Sequence, residues 1–128
     1  MVVDDDAMLQ NVVVRILDRA GFSVATANDG DECIDALRRG FRGVLLLDYA
    51  MPRLDGPSTL QVMASEGLID GVTVCMLTGL EEPSARLETL GSMVVNYIRK
   101  PFEPEDLVAV VQDAAELADD LDNCLWLP

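Results

Sequence analysis

The period of the apolar positions changes repeatedly along the chain, and each change marks an element. Residues 1–4 (MVVD) read as a short strand. Leu9, Val12, Val13, Ile16, Leu17 and Ala20 then recur at spacings of three and four, one stripe of a helix that Gly21 ends. A weaker strand is predicted at 23–27, closed by the turn Asn28-Asp29-Gly30, and a helix over 31–39 stops at Gly40. Residues 44–47 are a continuous apolar run ending on Asp48, the pattern of a strand buried on both faces. Residues 51–56 (MPRLDG) form a loop, a helix covers 58–66, and residues 72–77 (VTVCML) are a second buried strand, followed by Thr78-Gly79. A short helix over 82–90 and a strand over 94–98 come next. Lys100-Pro101 breaks the chain, and Pro104 opens a last helix. Its apolar stripe is Leu107, Val110, Val111, Ala114, Leu117, Ala118 and Leu121.

Strand–helix alternation in units of this length predicts an α/β fold: a single doubly wound, five-stranded parallel sheet flanked by helices. No linker or repeat interrupts it, so the 128 residues read as one domain over 1–121, with 122–128 as an apolar tail or the start of a linker. Half of the residues are hydrophobic, enough for a real core.

Charge narrows the chemistry. Nine basic against 23 acidic residues leave a net charge of −14, which argues against nucleic-acid or anionic-membrane binding through a broad basic surface. The chain has no histidine, which excludes histidine triads, histidine bases and histidine-ligated metals. Cys33, Cys75 and Cys124 are odd in number, far apart and without a CxxC, so they read as buried apolar residues or free thiols. Neither a membrane span nor a signal peptide is legible, and the expected location is the cytoplasm.

In doubly wound sheets, ligands bind beyond the carboxyl ends of the strands. Asp4-Asp5-Asp6 follows the first strand, Asp48 ends the third, Thr78 follows the fourth and Lys100, the chain's one lysine, follows the fifth. Clustered carboxylates repel unless something offsets their charge, and Mg²⁺ does so with oxygen ligands. Asp6 has two open readings, a member of this cluster or the N-cap of the first helix.

The set VVDDD at 2–6, LLLDYAMPRLDG at 45–56, MLTG at 76–79 and YIRKPF at 97–102, in this order and separation, resembles the receiver domain of two-component response regulators. The resemblance covers nearly the whole chain. It implies a flavodoxin-like sheet of order 2-1-3-4-5. It also implies Mg²⁺-dependent phosphoryl transfer from a sensor histidine kinase or histidine phosphotransfer protein to Asp48, switching a protein-interaction surface. Asp5, Asp48 and the Ala50 carbonyl would hold Mg²⁺ directly, and Asp4 would act through water. Thr78 and Lys100 would bind phosphoryl oxygens, Tyr97 would act with Thr78 as the switch, and the Lys100-Pro101 peptide would be cis. A protein of this kind is no enzyme beyond catalysing its own phosphorylation and dephosphorylation. An output domain or effector protein is the implied downstream partner, with no nucleic acid or membrane bound by this chain itself.

Several positions depart from the family pattern. Only residues 1–3 precede the acids, so the first strand reads as truncated at its amino end. Met93-Val94 stand where Gly-Ala is common, and Gly79 where Ala is usual. Ala50 and Leu80, two beyond Asp48 and Thr78, cannot orient a water by hydrogen bonding, which implies a long-lived phosphate. From Glu105 onward there is no Arg or Lys, which disfavours a salt-bridged dimer through the last helix. Two other functions stay open: a constitutive interaction module with an unused site, and a haloacid-dehalogenase-like phosphatase. The phosphatase needs Asp-x-Asp, and Asp48-Tyr49-Ala50 lacks the second acid.

Overall fold

Three aspartates start three helices. Asp6 accepts from the Met8 and Leu9 N–H groups at 3.0 and 3.2 Å and caps α1 (Ala7–Arg19). Asp29 accepts from Glu32 N–H at 2.8 Å and caps α2 (Gly30–Arg38). Asp55 accepts from Ser58 N–H at 2.9 Å and caps α3 (Gly56–Ser65), whose first turn holds Pro57. Each carboxylate satisfies amides that the first helical turn leaves without partners and sits at the positive end of the helix dipole. The last helix, α4 (Pro104–Trp126), begins at its proline and carries the tail through Trp126 within one continuous helix.

This computed structural model describes residues 1–79 and 94–126, with side chains described through residue 116. The helix expected over 82–90, Leu80, Met93 and the side chain of Cys124 lie outside the described residues. Among the described residues no helix is long and apolar enough to cross a membrane.

The strands are β1 (Val2–Val3), β2 (Thr26–Ala27), β3 (Gly43–Asp48), β4 (Val72–Thr78) and β5 (Val94–Arg99). They form one sheet in the order β2-β1-β3-β4-β5, all neighbours parallel, as the resemblance implied. Alternation along the strands feeds two cores. Val3, Leu45, Leu47, Val74 and Met76 face Cys33, Ile34 and Leu37 of α2 and Leu60 and Met63 of α3. Val2, Leu46, Cys75, Leu77 and Ile98 face Val13 and Leu17 of α1 and Leu107, Val111 and Ala114 of α4. Leu45, Leu46 and Leu47 are consecutive and all at most 2% exposed, so β3 is buried on both faces. Each such leucine contributes roughly 1.5–3 kcal/mol of burial.

The expected strand at 23–27 is shorter than the pattern suggests, because Ser23, Ala25 and Thr26 are exposed at the sheet edge. Cys33 and Cys75 are free and buried, and burial pushes their thiols up to about 12 and about 11, so both stay protonated and inert.

Candidate functional site

Strand register alone brings the strand-end residues together. Val3 is opposite Leu47, so the next residues, Asp4 and Asp48, leave neighbouring strands at the same level. Asp48 is opposite Leu77, which puts Thr78 one residue further on, and Thr78 is opposite Arg99, which puts Lys100 just beyond. Lys100 N–H donates to the Thr78 carbonyl at 2.8 Å, and the Lys100-Pro101 peptide is cis.

The side chains converge. Oxygens of Asp4, Asp5 and Asp48 lie within 4.8 Å of one another. Lys100 Nζ donates to Asp48 Oδ1 at 2.8 Å and to Asp4 Oδ2 at 3.4 Å. Asp4 is 1% exposed and Asp48 5%, whereas Asp5 is exposed. A cavity of about 510 Å³ opens over them, lined also by Ala50 and Gly79. Thr78 is buried at the end of β4, directly before Gly79. Tyr97 lies on β5 opposite Met76 and is 36% exposed.

Of the three consecutive acids, the fold gives each a different position. Asp4 Oδ1 accepts the Asp6 N–H at 2.9 Å while its other oxygen faces Lys100. Asp6 caps α1 and also lines the cavity, though its carboxylate stays outside the close trio, so the two readings the sequence left open both hold in part. Asp5, between Asp4 and Asp6 in the chain, is exposed and lines the cavity.

Burial raises the Asp48 carboxyl above its ordinary value, and the charges of Asp4 and Asp5 add to this, against the Lys100 hydrogen bond and charge. Burial works against the Lys100 ammonium, but the hydrogen bond and charge of Asp48, then of Asp4, more than offset it and its pKa is raised. A lysine with three donors and no acceptor suits this position between two carboxylates.

The donor set is all oxygen, as a hard cation requires. Opposite ligands of an octahedral Mg²⁺ at about 2.1 Å are about 4.2 Å apart, so the trio needs only small side-chain rotations to meet one ion. The residues present therefore fit Mg²⁺.

The loop after β3 closes one side. Tyr49 N–H donates to the Leu77 carbonyl at 2.8 Å and Gly56 N–H to the Tyr49 carbonyl at 2.9 Å. A Cβ on Gly56 would stand 2.7 Å from the Asp48 carbonyl oxygen and 3.1 Å from Met76 Sδ, so only glycine fits this approach. Arg53, with φ 66°, donates through Nη2 to Asp29 Oδ2 at 3.1 Å and fastens the loop to the start of α2.

One residue near the site escaped the sequence reading. Gln10 is a buried amide on α1, in line with Val13 and Leu17, and its Nε2 reaches the Asp4 carbonyl. A polar residue on the apolar stripe of a helix was the available signal.

The family described as the response regulator receiver domain matches residues 1–112. A probable transcriptional regulator, ycf27, of Pyropia yezoensis is 32% identical over all of this chain, which covers 51% of that protein. Response regulator MprA of Mycobacterium leprae is 35% identical over 88% of this chain and 48% of its own length. The chain thus spans about half the length of these curated relatives. The crystal structure of a CheY-like response regulator receiver domain protein from Methanospirillum hungatei JF-1 superposes with a TM-score of 0.89. It is 40% identical, over 94% of this chain and 95% of that one.

Proposed function

The chain belongs to the response regulator receiver domain family, and we propose that it accepts a phosphoryl group on Asp48 in a Mg²⁺-dependent step. The observation that carries this reading is the convergence of the Asp4, Asp5 and Asp48 oxygens within 4.8 Å, with Lys100 Nζ 2.8 Å from Asp48. The donor is a phosphohistidine of a sensor kinase or phosphotransfer protein. A bond forms between an Asp48 carboxylate oxygen and phosphorus as the P–N bond breaks, and its electron pair returns to the partner's imidazole.

Asp48 is suited to attack, because burial raises its basicity and hence its nucleophilicity. Asp5, Asp48 and the Ala50 carbonyl would hold Mg²⁺, with Asp4 acting through water. When bound, Mg²⁺ offsets the repulsion between the phosphoryl oxygens and the acidic pocket. Lys100 exchanges part of its bond to Asp48 for a phosphoryl oxygen, and the Thr78 hydroxyl takes another. The half-exposed Tyr97 ring then turns inward as Thr78 moves, changing the surface around β5.

The approach of a partner is open. Met8 and Val12 of α1 are 81% and 48% exposed, beside a groove of about 780 Å³ between α1 and α4 that Arg15 and Arg19 help to line. The cytoplasm is the compartment in which such a donor domain acts. The twofold length of the curated relatives supports an output domain or effector as the receiving partner.

The test is to incubate the chain with Mg²⁺ and acetyl phosphate, or with beryllium fluoride, and to record intact mass and NMR shifts. A single adduct of one phosphoryl group that requires Mg²⁺ and is lost in Asp48→Ala supports the proposal. Turnover of many phosphoesters would point instead to a phosphatase, and no adduct with Mg²⁺ present to an interaction module with an unused site.

A further inference from the structure

Gln10 has no place in the phosphotransfer chemistry above, yet its amide sits at the point where β1, β2 and α1 meet. Its side chain is 8% exposed. Nε2 lies 3.0 Å from the Ala27 carbonyl, 3.2 Å from the Asp4 carbonyl and 3.4 Å from Asn28 Oδ1. The two nearest atoms are backbone carbonyl oxygens, which only accept, so the amide nitrogen must face them. The Ala27 carbonyl also accepts the Asp4 N–H at 3.2 Å, the last bond between β1 and β2. Gln10 therefore extends the β1–β2 ladder past the point where the strands end.

The consequence falls on Asp5. Its carboxylate is the exposed member of the trio, so its direction rests on the backbone to either side. On one side the Asp4 carbonyl, which sets the plane of the Asp4–Asp5 peptide, is held by Gln10. On the other the Asp6 N–H is held by Asp4 Oδ1 at 2.9 Å. The anchor is itself braced: Asn28 N–H and Nδ2 donate to the Glu32 carboxylate at 2.9 and 3.3 Å, at the start of α2. A chain of hydrogen bonds thus runs from the first turn of α2 through Asn28 and Gln10 to the peptide that aims Asp5.

We infer that Gln10 is a positioning residue for the cation site, holding the Asp4–Asp5 peptide so that the Asp5 carboxylate is aimed before the cation arrives. This rests on the proposed Mg²⁺ site. Groups that orient metal ligands without touching the metal commonly change affinity by about 10–100-fold when removed. Because Gln10 acts on a peptide plane and two other carboxylates remain, the lower end is expected.

The test compares wild type with Gln10→Met, which keeps the length of the side chain and removes both donors, and with Val13→Ala, which loosens α1 without touching the loop. Gln10→Asn keeps the amide but withdraws it by a methylene, so it serves if the Met variant does not fold. Two quantities are read: the Mg²⁺ dissociation constant by calorimetry, and hydrogen exchange of the Asp6 amide in EDTA. Expected are a Kd raised about tenfold and faster Asp6 exchange in the Gln10 variants, with Val13→Ala within twofold of wild type in both. Equal changes in Val13→Ala, or Gln10 variants within twofold of wild type, would overturn the inference. If wild type binds no Mg²⁺ while Asp6 exchange still responds to Gln10 alone, the cation reading fails and the hold on the loop stands.

Discussion

Lys100→Met isolates what one lysine does for a pocket of carboxylates. The substitution keeps the unbranched stem as far as its fourth atom and deletes the ammonium that contacts Asp48 at 2.8 Å and Asp4 at 3.4 Å. At 2.8 Å and an effective dielectric of about 20, the attraction to Asp48 alone is about 6 kcal/mol before desolvation is subtracted. Measured losses on removing one partner of a buried pair are about 3–5 kcal/mol, because the other charge is left buried. The Lys100 side chain is 26% exposed, so water takes over part of its role. The expected loss is thus about 2–3 kcal/mol in EDTA at pH 7, or about 7–11 °C in Tm for a chain of this length.

The pH dependence has a definite sign. The Asp48 pKa is already raised above 3.8 by burial, and deleting Lys100 removes the two contributions that lower it. A carboxyl raised in the folded state binds a proton there that the unfolded state has released. Its stabilisation is complete below the unfolded value and is lost as pH rises through the folded one. The deficit of Lys100→Met against wild type is therefore largest near neutral pH and shrinks on acidification toward about pH 4. Saturating Mg²⁺ narrows it too, since a cation bound only to the folded state offsets the same carboxylates. The assay is thermal unfolding by circular dichroism across pH, with EDTA and with Mg²⁺. A variant as stable as wild type in EDTA at pH 7, with a parallel pH profile, would show that Lys100 does not offset the carboxylates.

Asp6→Ala should cost about 1 kcal/mol of stability, as for a lost N-cap, and leave the Mg²⁺ dissociation constant within about twofold, because the Asp6 backbone N–H that supports Asp4 is kept; urea unfolding and calorimetry check it. Ala50→Asn with Leu80→Glu should shorten the lifetime of Asp48 phosphate by about tenfold, since both side chains can then orient water; equal phosphate-release time courses would discard the idea. Gly56→Ala should lower stability by about 1–3 kcal/mol and slow phosphorylation, because its Cβ is driven against the Asp48 carbonyl and Met76; chemical unfolding beside acetyl-phosphate labelling tests both.

The strand ends were legible because parallel strands buried on both faces write themselves as apolar runs, and a run that stops on a charge marks its end. Leu45 to Leu47 followed by Asp48 is such a case. β2 was less legible: at the sheet edge only Ala27 is buried, and the pattern has little to repeat. Gln10 was not legible as part of the site. Its chemistry lies in reaching the carbonyls of Asp4, just past β1, and Ala27, at the end of β2, and nothing local to α1 shows them.

The order of elements, the class of sheet and the five side chains at one rim, Asp4, Asp5, Asp48, Thr78 and Lys100, are legible in the chain alone. These follow from periodicity and from the side of a parallel sheet on which strands end, and both are properties of the chain read in order. How three adjacent aspartates divide becomes visible in the fold: Asp4 against Lys100, Asp5 exposed on the cavity wall, and Asp6 beside it on the helix cap. The same residue type at consecutive positions carries no such distinction. The distinction arises when register, cap geometry and burial place each carboxylate before a different partner.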